Sequence, residues 1–133
     1  MAKLTLGGDP INTSADLPSE GQKAPDFTLV KTDMSEISLS DYKGKNVILN
    51  IFPSVDTEVC AMSVREFNEK AASLDNTVVL CISKDLPFAQ ARFCGAEEIE
   101  NAIPVSNFRN DSFGKDYGVE LVDGGFKGLN ARA

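Results

Sequence analysis

The sequence predicts an α/β domain, in which helices pack on a mixed sheet and strands alternate with helices after an N-terminal hairpin. Continuous apolar runs at 46–52 and 77–82 are typical of strands buried on both faces of a parallel sheet. Between them, apolar residues recur every three or four positions, which is the pattern of one helical face. Strand, helix and strand within about 37 residues form a βαβ unit. The 133 residues are enough for one domain, 1–133, with its own core.

The part of the chain before this unit predicts two hairpins with a loop between them. Residues 3–13 carry two short alternating arms around a turn at residues 7–10. Residues 27–39 carry a second pair of arms, which turn near residues 33–35. The intervening segment is interrupted by Pro, Ser and Gly, so it is predicted to be irregular.

The helix of the βαβ unit is predicted to begin shortly after Pro53, which ends the first strand, and to have Asp56 as its N-cap. Its apolar face consists of residues at spacings of four, three, four and three: Cys60, Val64, Phe67, Ala71 and Leu74. This face is expected to pack on the sheet.

A second helix is predicted over residues 85–95. Asp85 is interpreted as its N-cap and Gly95 as the residue that ends it. A short strand at 103–106 and a helical turn within 111–119 complete the predicted domain.

Composition excludes several classes of function. The net charge of −7 and the absence of a long apolar window make nucleic acid and membrane poor partners. Without histidine there is no Cys-His dyad, no Ser-His-Asp triad and no histidine-ligated metal, and the three cysteines do not form zinc knuckles. A histidine-ligated metal site or a zinc knuckle is therefore not predicted. The odd, sparse cysteines suit a reducing compartment, and the N-terminus has no apolar signal region, so a cytoplasmic protein is expected.

Each cysteine has a structural and a chemical interpretation. Cys81, in the middle of an apolar strand, is predicted to be an inert core residue. Cys60 lies on the apolar face of its helix, but also in the first turn after the carboxyl end of a parallel strand, where the helix N-terminus stabilises an anion. Spacing leaves the core role and the reactive role equally open for it. Spacing alone favours a partly buried structural thiol for Cys94, at a helix end that can fray.

Several segments carry distinctive motifs: SVDTEVCAMSVREFN at 54–68, DLPFAQARFC at 85–94 and FRNDSFGKDYGV at 108–119. The pattern Pro-x-x-x-Thr-x-x-Cys occupies residues 53–60, and the segment LNARA follows later. Together these motifs resemble the peroxiredoxins, and among them the atypical two-cysteine thiol peroxidases. The resemblance covers nearly the whole chain. It implies a thioredoxin-like (peroxiredoxin) fold with an N-terminal β-hairpin and a mixed central sheet flanked by helices.

The resemblance also implies a thiol-dependent peroxidase, in which Cys60 is the peroxidatic cysteine. Arg132 would complete the site by its positive charge, Thr57 by hydrogen bonding, and Pro53 by shielding the thiolate from water. Cys94 would resolve the oxidised Cys60 as an intramolecular disulfide, after local unwinding near both. Hydrogen peroxide and alkyl hydroperoxides are the implied substrates, thioredoxin is the implied reductant, and a homodimer without haem, flavin or metal is expected.

Two further expectations concern residues outside this set. Arg65, five residues after Cys60, is interpreted as a surface charge with at most a supporting role. Proteins of the resembled family continue past LNARA with further strands and a helix, so the domain is expected to lack part of its sheet and to expose a strand edge.

Three alternative functions remain open at this point. A peroxide sensor on the same scaffold would share every motif, and only turnover would separate it from a peroxidase. A nonenzymatic thioredoxin-fold binding module would have no reason to keep Pro53, Thr57 and Cys60 together. A thioredoxin-like disulfide exchanger is disfavoured because the chain has no C-x-x-C.

Overall fold

The N-terminal hairpin forms as predicted. A computed structural model of the chain describes residues 3–6, 8–110 and 112–133. Strand β1 (Lys3–Leu6) pairs antiparallel with β2 (Asp9–Asn12). Asp9 and Pro10 belong to β2 rather than to the turn, and Gly7 of the predicted turn lies outside the described residues.

A five-stranded mixed sheet forms the centre of the domain, which confirms the predicted class. Its strands are β3 (Thr28–Lys31), β4 (Glu36–Ser38), β5 (Asn46–Ile51), β6 (Thr77–Ser83) and β7 (Ala102–Ser106). Their order across the sheet is β4-β3-β7-β6-β5. The strands β5, β6 and β7 run parallel, whereas β3 runs antiparallel to β4 and β7. The predicted second hairpin is the pair β3 and β4.

Two of the three described helices connect parallel strands, and the third follows β7. The helices are α1 (Glu58–Ala71), α2 (Pro87–Glu97) and α3 (Phe113–Asp116), with a 3₁₀ turn at Leu39–Tyr42. Helix α1 links β5 to β6 as predicted, and α2 links β6 to β7 in a second βαβ unit. Helix α3 lies in the predicted helical turn, whose first residue, Asp111, is outside the described residues. None of the described helices is long and apolar enough to cross a membrane.

Apolar side chains fill both faces of the sheet. On one face, an aromatic cluster is formed by Phe27, Phe113 and Tyr117. On the face that α1 and α2 cover, the buried cluster contains Phe52, Val55, Cys60, Val64, Val79, Cys81 and Ala102. A smaller cluster joins the N-terminal hairpin to the end of the chain through Ile11, Leu121 and Ala131. The hairpin is thereby held against the segment that carries Arg132.

The prediction that residues 46–52 form a strand buried on both faces is wrong for residues 46–49, which are exposed or only half-buried. β5 is the edge strand of the sheet, and its burial increases from exposed Asn46 to buried Ile51. At its outer edge, the Ile51 N–H donates to the Ala133 carbonyl at 2.8 Å and the Ala133 N–H donates back at 2.9 Å. An apolar run indicates that its side chains contact other apolar groups, but it does not indicate the order of the strands. It therefore cannot distinguish an edge strand from a central strand. The expectation that part of the sheet is lacking stays a prediction.

The predicted start of α1 also needs correction. Its N-cap is Thr57, in an extended conformation, rather than Asp56. At the other end, Leu74 lies beyond the helix and is exposed, so it does not extend the buried face. Cys60, Ala61 and Val64 are the buried residues of the helix.

The predicted N-cap of α2 is wrong by one residue and its predicted end by two or three. Its N-cap is Leu86, and the helix continues through Gly95 to Glu97. Glu98 ends it by adopting the left-handed conformation, with φ of 55°. Asp85 does not cap the helix, because its carboxylate is used by the loop before α1.

Candidate active site

The N-terminus of α1 is left open by the conformation of its capping residue. Thr57 does not cap the helix with its side chain. Instead, its Oγ1 donates to the Ser54 carbonyl at 2.9 Å. The first N–H groups of an α-helix have no partner within the helix, so this end can stabilise an anion. The Thr57 hydroxyl, which the resemblance places in the site as a hydrogen-bonding group, thus donates its proton to the preceding loop.

Cys60 lies in the first turn of α1, where the sequence predicts it. Its side chain is almost wholly buried, at 1% exposure. An N–H of Arg132, at Nη2, donates to Cys60 Sγ at 3.1 Å. A positive charge and a helix N-terminus both favour the thiolate over the thiol. The local setting therefore differs from that of a core cysteine.

A pair of buried amides fixes the segment that carries Arg132. Asn107 Nδ2 donates to Asn130 Oδ1 at 3.2 Å, and Asn130 Nδ2 donates to Asn107 Oδ1 at 2.9 Å. Both residues are fully buried. The Ala131 N–H donates to the Val119 carbonyl at 2.7 Å. Arg132 thus projects from a backbone that is bonded on both sides, which directs its side chain to the sulfur.

One cavity, of about 610 Å³, joins the predicted site residues. Pro53, Thr57, Cys60 and Arg132 all line it. The remaining wall is largely apolar and includes Leu4, Ile11, Leu121 and Phe126. The N-terminal hairpin and the segment before Arg132 therefore enclose the thiol with a predominantly hydrophobic surface.

Cys94 lies apart from this group. It is a half-buried free thiol on α2 and is not among the described residues that line the cavity. Burial raises the pKa of Cys94 to about 11, so at neutral pH it is protonated. The structure thus brings four of the five predicted site residues together and leaves the fifth on another helix.

Cys81 is the buried strand thiol that the sequence predicts. It is 1% exposed in the middle of β6. Burial raises the pKa of Cys81 to about 12, although a hydrogen bond from Asn50 Nδ2, at 3.7 Å, opposes the shift. Cys94 adds a smaller increase to the pKa of Cys81.

Two charged residues have roles that spacing did not reveal. The Asp85 carboxylate accepts hydrogen bonds from Ser54 Oγ and from the Val55 N–H, in the loop before α1. Arg65 binds Glu97 with two N–H groups, at 2.9 and 2.7 Å, and so joins α1 to the last turn of α2. Neither contact has a local sequence signal, since each joins residues about thirty positions apart in the chain.

The described residues contain no cluster of His, Cys, Asp and Glu that could hold a metal ion.

The family profile described as Redoxin matches residues 19–133. Thiol peroxidases of Mycobacterium tuberculosis and Mycobacterium bovis are each 60% identical over 133 residues, which is 100% of this chain and 79% of theirs. The crystal structure of a peroxiredoxin-like protein from Aquifex aeolicus has a TM-score of 0.92 at 34% identity, over 98% of this chain and 75% of that one. The chain therefore belongs to the redoxin family and, within it, to the thiol peroxidases.

Proposed function

We propose that Cys60 is the peroxidatic cysteine of this thiol peroxidase and that Cys94 resolves its oxidised form. The observation that carries the proposal is the 3.1 Å hydrogen bond from Arg132 to Cys60 Sγ, beside a cavity that Thr57 and Pro53 also line. A sulfur that faces a guanidinium at a helix N-terminus is favoured as the nucleophilic thiolate. A cysteine that only filled space would gain nothing from that partner.

In the first step, the Cys60 thiolate attacks one oxygen of a hydroperoxide. The S–O bond forms as the O–O bond breaks, and the leaving oxygen departs as hydroxide or alkoxide and takes a proton from water. Arg132 can donate to the negative charge that develops on this oxygen. The Thr57 hydroxyl keeps lone pairs that accept from the peroxide, since its own proton is donated to Ser54. Pro53 adds no N–H to the wall, which helps to keep water from the thiolate.

In the second step, Cys94 sulfur attacks the Cys60 sulfenic acid. The S–S bond forms as the S–O bond breaks, and the hydroxyl leaves as water with the proton of the Cys94 thiol. A disulfide requires Cα atoms within about 7 Å of each other. The two cysteines are free thiols on separate helices, one of them almost wholly buried, so the helix ends that carry them must unwind locally.

Turnover then requires a dithiol that reduces the disulfide, and we assign this role to thioredoxin. Its two thiols are oxidised to a disulfide as Cys60 and Cys94 regain theirs, by thiol–disulfide exchange. Hydrogen peroxide and alkyl hydroperoxides are the proposed substrates, and the apolar part of the cavity wall suits an alkyl group. An odd set of three cysteines suits the reducing cytoplasm as the compartment, and a homodimer is the proposed assembly.

The proposal is tested by peroxide consumption in the presence of thioredoxin and its reductase. Cys60→Ser should abolish turnover, because a serine hydroxyl is not ionised at neutral pH. Cys94→Ser should react once with peroxide and then stall, with progress to sulfinic acid. Cys81→Ser is the matched control and should turn over normally.

Peptide mapping under nonreducing conditions should find the Cys60–Cys94 bridge in peroxide-treated protein. A bridge from Cys60 to Cys81 instead, or undiminished turnover in Cys94→Ser, would contradict the assignment of the resolving cysteine. Oxidation without turnover by thioredoxin would favour the peroxide sensor over the thioredoxin-dependent enzyme.

A further inference from the structure

Asp85 is bonded to the loop that precedes Cys60, although the two lie on different connections of the sheet. Its Oδ1 accepts a hydrogen bond from Ser54 Oγ at 2.6 Å, and its Oδ2 accepts one from the Val55 N–H at 2.8 Å. Ser83 Oγ donates a third bond, to Oδ2, at 2.7 Å. One half-buried carboxylate thus joins the β5–α1 connection to the β6–α2 connection.

The same network reaches the helix of Cys94 through Gln90. This residue is fully buried, and its Nε2 donates to Ser83 Oγ at 3.1 Å and to the Val105 carbonyl at 2.9 Å. Its Oε1 is a buried acceptor without a hydrogen-bond partner among the described residues. A buried acceptor without a partner costs free energy. The two hydrogen bonds that Gln90 Nε2 donates therefore determine the orientation of the side chain, and they join the first half of α2 to β6 and β7.

We propose that Asp85 is a positioning residue, which holds the loop from Ser54 to Thr57 in the arrangement that reduces peroxide and must release it before Cys60 bonds to Cys94. The inference rests on the roles proposed above for the two cysteines. Val55, which Asp85 holds, packs in the same buried cluster as Cys60. A loop fixed at Val55 therefore also fixes the first turn of α1.

Release is needed because reduction of peroxide and formation of the disulfide require the Cys60 sulfur in two different positions. Reduction of peroxide requires the Cys60 sulfur beside Arg132 and at the cavity wall, which is the arrangement that the structure contains. Formation of the disulfide requires the sulfur of Cys60 to leave its buried site, as the S–O bond breaks and water departs. Asp85 stabilises the first arrangement only, so its bonds favour the first step and oppose the second.

The two steps can be measured separately by rapid acid quench and mass spectrometry, since the chain has no Trp to report them by fluorescence. In a Cys94→Ser background, Asp85→Ala should slow oxidation of Cys60 by hydrogen peroxide by about tenfold, because three hydrogen bonds to a charged group are lost. With Cys94 present, the same substitution should accelerate disulfide formation by up to about threefold, because the bonds that hold Cys60 in its buried site are lost. Asp85→Asn keeps an acceptor oxygen and should restore part of the peroxide rate.

Ser54→Ala provides a second test that does not depend on the folding of the Asp85 variant. It removes a single bond to the carboxylate and should slow the peroxide step by about threefold. Asp33→Ala is the matched control, because that carboxylate also accepts from a neighbouring N–H and hydroxyl, both of Ser35, in the β3–β4 turn. It should change neither step.

An unchanged peroxide step in both Asp85→Ala and Ser54→Ala would overturn the inference. So would an equal slowing of both steps, since that is the signature of general destabilisation. These outcomes are distinct from failure of the proposed function, which would appear as peroxide turnover that survives Cys60→Ser.

Discussion

Replacement of Gly95 by alanine should slow the formation of the Cys60–Cys94 disulfide and leave the peroxide step unchanged. Gly95 lies inside α2, next to Cys94, although a glycine in a helix interior is unfavourable. A Cβ added there would meet no atom within 4 Å, and its backbone is not in the left-handed region. Alanine is therefore tolerated without strain and stabilises only the helical form.

The magnitude follows from helix propensity. Alanine stabilises a helix interior by about 0.5–1 kcal/mol relative to glycine. Since 1.36 kcal/mol corresponds to tenfold in an equilibrium, the population with this end of α2 unwound should fall by about two- to fivefold. If Cys94 reaches Cys60 only from the unwound form, the rate of disulfide formation falls by the same factor.

Rapid-quench mass spectrometry after a single addition of peroxide measures this rate. Ala96→Gly, in the same turn, is the reciprocal control and should accelerate disulfide formation by a similar factor. Amide hydrogen exchange at the end of α2 reports whether each substitution changed local opening. Slower exchange in Gly95→Ala together with an unchanged disulfide rate would show that resolution does not pass through an unwound α2.

Three other substitutions have defined outcomes. Arg132→Met should slow the peroxide step by about tenfold or more with little change in Tm, because the cation beside Cys60 Sγ is lost. An unchanged rate of Cys60 oxidation in rapid-quench mass spectrometry would refute its catalytic role. Arg65→Met removes the partly exposed ion pair with Glu97, which water screens, and should accelerate disulfide formation by no more than about fivefold. Burial raises the pKa of Cys81 from 9.0 to about 12, so the folded state retains a proton that the unfolded chain loses above pH 9. The resulting stability is fully present below pH 9 and is lost as pH rises towards 12, and Cys81→Ala should make that loss shallower in urea denaturation.

The fold was largely predictable because its strongest signals are local. The runs at 46–52 and 77–82 form parallel strands, and the apolar periodicity between them forms α1. The position of β5 at the edge of the sheet was not predictable, since periodicity reports which side chains contact apolar groups. Strand order depends on which segments meet in space, and a single sequence carries no direct record of that.

The helix ends were less predictable because a polar residue near a helix start has several possible partners. Asp56 and Asp85 both have the residue type of an N-cap. Asp85 instead accepts bonds from a loop about thirty residues earlier, which satisfies its carboxylate more fully than one helix N–H. Thr57 is the N-cap of α1, but its hydroxyl bonds back to Ser54 rather than into the helix.

The site was predictable in part. The location of Cys60 in a first helical turn follows from spacing, whereas its proximity to Arg132 does not, since 72 positions separate them. Resemblance to a family supplied that pairing, and the geometry agrees with it. The buried amide pair of Asn107 and Asn130, which directs Arg132, has no signal in the local pattern because two isolated asparagines are usually turn residues.

The contrasting environments of Cys60 and Cys94 account for the order of the proposed reaction. The sulfur of Cys60 lies beside a cation, at a helix N-terminus and at the wall of a cavity, so a hydroperoxide can reach it. Burial holds the pKa of Cys94 near 11, so this thiol stays protonated and does not compete for peroxide. Unwinding of α2 would return Cys94 to water, where desolvation no longer raises its pKa and the thiolate becomes accessible. A movement that brings the resolving sulfur to Cys60 would therefore also activate it.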